Sequence, residues 1–157
     1  MMGKEIFSGR YTSQNEDKIV VFIIGMRINK WWAIHKWFPV FSAMGPMIQE
    51  LYTNRDTGFL SLETFFGLRT SLMVQYWKSE DGLLAYAKGP THMKAWKSFN
   101  EKVRNNDAVG IYHETYIVPK GKSESIYGNM PLFGLARAFG NKAITPAINS
   151  SRKRLDA

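Results

Sequence analysis

Two ionisable side chains, His113 and Glu114, stand together in an otherwise apolar and aromatic run from Asp107 to Pro119. Burying such groups is costly unless they are partnered. The run therefore either hides a structural hydrogen-bond solution or presents a site. Histidine exchanges a proton near neutral pH, which suits His113 to take one from an acidic carbon or oxygen of a substrate. The plainer reading of His113 is a strand histidine held by a backbone or carboxylate partner. Side chains alternate along a strand, so Glu114 points away from His113 and the two cannot act as a pair. Arg27 closes the first apolar run and is expected to neighbour Glu114. An ion pair between them is the structural reading; a share in catalysis, with Arg27 or Gln75 stabilising a developing oxyanion, is the other.

The elements that must position these groups can be read from periodicity. Residues 1–17 are polar and aperiodic, and are expected to form an N-terminal arm. Ile19 to Ile24 is apolar on both parities, as in a strand covered on both faces. Residues 31–54 carry Phe41, Met44, Ile48 and Leu51 at helical spacing, with Pro39 and Pro46 predicting a turn or kink. Strands near 59–66 and 69–78 flank Gly67 and predict a hairpin. Ser79 is a predicted N-cap, with Glu80 and Asp81 in the favoured first turn. Gly89 and Pro90 split the helical stretch, and Trp96, Phe99 and Val103 give its second piece an apolar stripe. A last strand over 108–118 completes the order β-α-β-β-α-β across residues 18–119. This is the α+β, ferredoxin-like split βαβ arrangement. Because the strands are apolar on both parities, the sheet's second face should also be covered, most economically by a second copy in a homodimer. Residues 120–157 form a C-terminal extension. Its 125–139 stretch is expected to pack on the domain, as a lid, and residues 146–157 to be mobile.

Composition narrows the classes further. The chain has 157 residues and no cysteine, which excludes disulfides, thiolate metal sites and cysteine nucleophiles. Its three histidines show no tight His/carboxylate spacing, so no classical zinc site is expected. The longest apolar run is too short to span a membrane, and the first residues lack an apolar signal core. The expected location is cytoplasmic, with no membrane partner. The net charge of +8 raises the question of nucleic acid. The excess is scattered over predicted helix surfaces and the last residues, with no recognisable binding motif, so none is expected. Gly25 stands alone where a dinucleotide-binding turn would need more glycines.

Several stretches together resemble a known family. Tyr76-Trp77-Lys78-Ser79-Glu80-Asp81, followed by Leu84, Tyr86, His92, Ala95-Trp96 and Phe99, is similar to the antibiotic-biosynthesis monooxygenase group of the dimeric α/β-barrel superfamily. His35-Lys36-Trp37-Phe38-Pro39-Val40, the strand from Gly110 to Tyr116, and Tyr127 to Leu135 resemble one branch, the fumagillin-pathway monooxygenase-like family. The resemblance covers roughly residues 18–136. It implies an enzyme acting on an apolar or aromatic small molecule, which lies between helices and sheet of one subunit. Some members of the superfamily oxygenate without metal or flavin; others bind haem. The expectation here is a cofactor-free monooxygenase-like homodimer, with a haem protein and a non-catalytic ligand-binding protein as the alternatives. In haem-degrading relatives a histidine late in the second helix ligates iron. The matching position is Trp96, which cannot ligate, so His92, one turn earlier, is the candidate haem ligand. The expected catalytic set is His113, Arg27 and Glu114. The expected substrate-contacting set is Trp77, His92, Trp96, Gln75, Tyr116 and Phe133. Trp77 is alternatively a core aromatic. The methionines 26, 44, 47, 73, 93 and 130 fill an adaptable core, and would line any pocket built for a bulky apolar ligand.

Overall fold

The computed structural model describes residues 3–15, 17–105 and 107–157. Strand β1 is Phe7–Ser13 and β2 is Ile19–Ile28; helices α1 (Ile34–Ser42) and α2 (Met44–Thr53) follow. Strands β3 (Phe59–Phe66) and β4 (Thr70–Trp77) lead to α3 (Glu80–Ala87), α4 (Pro90–Val103) and β5 (Val109–Val118). The extension holds β6 (Tyr127–Met130), α5 (Leu135–Phe139), β7 (Asn141–Ala143) and α6 (Ser151–Leu155). Strands β2 to β5 form one antiparallel sheet in the order β3-β4-β2-β5. That is the ferredoxin-like α+β topology, with α1 to α4 on one face.

Local chemistry sets the helix boundaries. Ser79 caps α3 by accepting a hydrogen bond from the Gly82 amide at 3.1 Å, and Glu80 and Asp81 occupy its first turn. Gly82 has no room for a side chain, because a Cβ there would collide with the Thr57 carbonyl oxygen. Pro90 opens α4 after Gly89. The proline-marked interruption in residues 31–54 falls at Ala43, between two short helices. Pro39 sits inside α1, and the helix ends one turn later. Val103, expected on the α4 stripe, lies outside the described side chains.

Alternation divides the sheet into two faces. On the helix side, Val20, Leu62, Met73 and Trp77 pack with Leu51 and Leu83 in a continuous core, supported by Phe22, Ile24, Ile48, Phe59 and Tyr86. Met26 and Val109 form a second cluster with Trp37, Val40 and Phe99. The other face is covered in part by the extension. Phe133 meets Phe65 edge-on, with centroids 6.1 Å apart, and Glu63 binds Arg137 at 3.1 Å. The 125–139 stretch therefore packs against the sheet, on the side away from the helices. The lid expectation is corrected: it covers no opening on the helix side.

The arm expected over residues 1–17 contains a strand. β1 is the middle strand of a second sheet, β6-β1-β7, which joins the two ends of the chain. The Gly9 amide donates to Asn129 Oδ1 at 2.9 Å. Residues 146–157 hold a 3₁₀ turn, Pro146–Ile148, and α6, capped by Ser150. Arg154 ties this end down through Glu124 at 2.8 Å, with its side chain buried.

Candidate functional site

A cavity of about 470 Å³ lies between the helices and the sheet. Its floor is the helix-side parity of β2 and β5: Phe22, Ile24 and Met26, then Ile111, His113 and Thr115. Its walls are α1, α2, α3 and α4, through residues such as Val40, Met47, Leu84 and Trp96. Met26, Met44, Met47, Met73 and Met93 all line it, whereas Met130 lies on β6. Thioethers are polarisable and conformationally adaptable, so this wall can mould itself to a bulky apolar shape. Polar groups are few: His92, Ser98, Lys102, His113 and Thr115.

A smaller recess of about 40 Å³ adjoins the main cavity, sharing Phe22, Ile24, Met47, Met73, Leu83 and His92 and adding Gln75 and Tyr86. Gln75 is buried, and its Oε1 accepts from Trp77 Nε1 at 3.0 Å. That bond fixes the amide orientation and leaves its NH₂ as the donor end. His92 packs edge-on against Tyr86, and its Nδ1 is buried without a hydrogen-bond partner among the described residues. A buried polar atom left unpaired is costly, and such atoms mark places where a ligand or water completes the structure.

Tyr86 donates to the Met47 carbonyl at 3.3 Å. Burial, with the Glu50 carboxylate adding to it, pushes its hydroxyl up to about 12 from the ordinary 10.0. The folded state thus holds the proton more tightly than the unfolded chain. This contribution to stability is complete below about pH 10 and is lost as pH rises towards 12. Denaturant melts across that window should show stability falling, and Tyr86→Phe should flatten the fall. An equal fall in the variant would assign it to other groups.

The nine residues singled out from the sequence separate cleanly. His113 lies at the cavity and is exposed, with its ring 5.5 Å from that of Phe22. His92 and Trp96 line the same cavity, and Gln75 its recess. Trp77 does not line it. Its side chain is fully buried against Phe59 and Tyr86, so it reaches the site only through Gln75. Phe133 is on the opposite face with the extension. Tyr116 and Glu114 are also on that face, exposed, with the Tyr116 hydroxyl donating to Glu114 Oε2 at 2.8 Å. That bond holds the Tyr116 hydroxyl above its ordinary value.

The expected Arg27–Glu114 pair does not form. Arg27 is opposite Gly110 and Glu114 opposite Ile23, four positions along the ladder. That is a separation of about 13 Å. Arg27 instead donates to Asn29 Oδ1 at 2.6 Å, at the exposed end of β2. Lys102, Ser98 and Thr115 at the cavity were missed, because a lone lysine, serine or threonine in a periodic segment reads as surface.

Fold and site together define a ferredoxin-like α+β protein with an apolar cavity between its helices and its sheet. The model of the monooxygenase af470-like family matches residues 19–135, and the chain belongs to that family. It is 29% identical over 89 residues to the monooxygenase af470 of Aspergillus fumigatus. That match covers 53% of this chain and 32% of the relative, so the chain spans about a third of that protein. A crystal structure of an aldoxime dehydratase in complex with butyraldoxime superposes with a TM-score of 0.69 at 16% identity, covering 89% of this chain and 41% of the other. The cofactor-independent oxygenase SnoaB from Streptomyces nogalater is a more distant likeness, with a TM-score of 0.45 at 12% identity, over 64% of this chain and 91% of that one.

Proposed function

We propose that the chain is a monooxygenase-like oxidoreductase whose substrate is a small, largely apolar or aromatic molecule held between helices and sheet, and that it works without metal or flavin. The observation that carries this reading is the methionine- and aromatic-lined cavity with His113 at its floor. Membership of a monooxygenase family supports the reaction class. His113 takes a proton from an activated carbon or hydroxyl of the substrate, leaving an electron-rich carbanion or phenolate. That species reacts directly with dioxygen. One oxygen atom stays on the substrate carbon; the other leaves as water with two substrate hydrogens, both from that carbon in the carbanion case, or one from it and one from the hydroxyl in the phenolate case. Gln75, oriented by Trp77, supplies the donor for developing oxyanion charge, a duty Arg27, on the other face of the sheet, does not share.

A general base contributes to the chemical step far more than to binding. His113→Ala should therefore lower turnover of a polycyclic phenol by on the order of a hundredfold, with little change in its Kd by fluorescence quenching. Parallel loss of binding and turnover would make His113 a packing residue.

One observation favours a second reading, haem binding: the buried, unpartnered Nδ1 of His92 at the cavity. His92 would hold the haem iron, the methionine walls would surround the group, and haem would supply redox chemistry. A Soret band on adding haemin, abolished in His92→Ala, selects this reading. No band removes it.

The homodimer belongs to the same proposal. The half of the second sheet face formed by β2 and β5 presents Tyr112, Glu114 and Tyr116 to solvent. Two copies placed face to face across it would cover these aromatics.

A further inference from the structure

One end of the molecule carries large apolar side chains that the fold leaves outside. Trp32 is 78% exposed in the loop between β2 and α1, and Leu68 is 92% exposed at the tip of the β3–β4 hairpin. Phe66, Trp31, Phe38 and Phe41 are exposed as well. Contacts tie parts of this surface together. Phe41 and Phe66 have ring centroids 6.2 Å apart, and Arg69 lies over the Trp31 ring at 6.0 Å. Arg69 also donates to the Asn29 carbonyl at 3.1 Å, which ties the hairpin tip to the β2–α1 loop.

The charge around the patch is basic. Arg27, Lys30, Lys36 and Arg69 belong to these segments, and Asp107 is the carboxylate that meets them, on Lys30. Arg27 and Arg69 bond to neutral oxygens, which leaves their charge available. Tryptophan and phenylalanine beside arginine and lysine are the combination that settles at a bilayer interface, rings at headgroup depth and cations on anionic headgroups. A basic side chain near such a surface contributes about 1 kcal/mol, and the apolar tips add area removed from water.

We propose that this end is a docking face for an anionic lipid bilayer. The shape favours a membrane over a protein. Trp32 and Leu68 project from two loop tips, and a fluid interface accepts such protrusions without needing a matching groove. Among the described residues no helix is long and apolar enough to cross a membrane. The contact is interfacial. Position gives it a use: the same helix α1 turns Phe38 and Phe41 outward and lines the cavity with Pro39 and Val40. A substrate dissolved in the bilayer would then reach the cavity past one helix. This last step rests on the oxygenase reading, whereas bilayer binding does not.

The test is flotation of the full chain with vesicles of phosphatidylcholine alone or with about 30% phosphatidylserine, in the absence of any substrate. Partitioning should be at least about tenfold stronger on the anionic vesicles and should weaken with added salt. The double variant Trp32→Ser/Leu68→Ser should lose about tenfold, with an unchanged melting temperature because both positions are exposed. Arg69→Gln should reduce the preference for anionic vesicles. A chain that ignores both vesicle types, or a double variant that floats like the parent, overturns the proposal. So does a double variant that shifts from dimer to monomer in sedimentation velocity without vesicle binding by the parent; that result makes the patch an interface between copies. Failure here leaves the cavity reading untouched, since no oxygenation is measured.

Discussion

Trp77→Ala is expected to cost about 3–5 kcal/mol, the range for removing a fully buried tryptophan. The side chain has no exposed surface and sits between Phe59 and Tyr86, whose rings are 5.5 and 5.7 Å away. It also donates the hydrogen bond that holds Gln75. A cavity and an unpaired buried amide would open together, and natural domains have only about 5–15 kcal/mol to lose. Urea melts followed by circular dichroism measure this directly. Trp77→Phe separates the two contributions. It keeps most of the packing, so the loss should shrink to about 1–3 kcal/mol. Gln75 is then free to turn, and turnover should fall more than stability does. If turnover survives in a folded Trp77→Phe protein, Gln75 is not the oxyanion donor.

Glu63→Ala should cost about 3 kcal/mol, since it leaves Arg137 half-buried without its counter-charge. Glu63 holds the extension at two points: Oε2 meets Arg137 Nη1 at 3.1 Å, and Oε1 accepts from the Gly134 amide at 2.9 Å. The second bond requires the turn at Gly134, whose φ of 56° suits glycine, and a Cβ there would press on the Tyr76 and Tyr127 hydroxyls. Burial, then Tyr127, then Glu63 raise the Tyr76 hydroxyl above its ordinary range, as expected under a sealed extension. Brief trypsin treatment should cleave Glu63→Ala after Arg137 at a rate well above the parent. Glu63→Gln retains an acceptor for the Gly134 amide and should lie between. A protection pattern identical to the parent's would mean that β1 pairing alone holds the extension.

What the sequence disclosed follows from the range of the interactions. Ser79, Gly89 and Pro90 act within a turn of themselves, so α3 and α4 were legible as they stand. The alternation in β2, β4 and β5 placed His113 and Glu114 on opposite faces, and the structure assigns His113 to the helix side. The family resemblance also held, because its residues lie within the matched 19–135. β1 was not legible. Its residues, Phe7–Ser13, alternate weakly around Gly9, and their partners on β6 and β7 are more than a hundred positions away. Long-range pairing also decides the places of Tyr116, opposite Val21, and Phe133, against Phe65. Both are aromatic and near chemistry in sequence, but only the pairing of three elements shows which face they take. Arg27 and Glu114 share a parity, and parity alone cannot give register.

The most direct measurement is mass spectrometry of the product formed by the chain from a polycyclic phenol under ¹⁸O₂. The account requires one ¹⁸O atom in the product, ordinary oxygen when the label is in water instead, and loss of the signal when Met47→Trp fills the cavity. A substrate that binds saturably in the cavity and emerges unchanged, with no dioxygen consumed, would contradict it and leave a ligand-binding protein in its place.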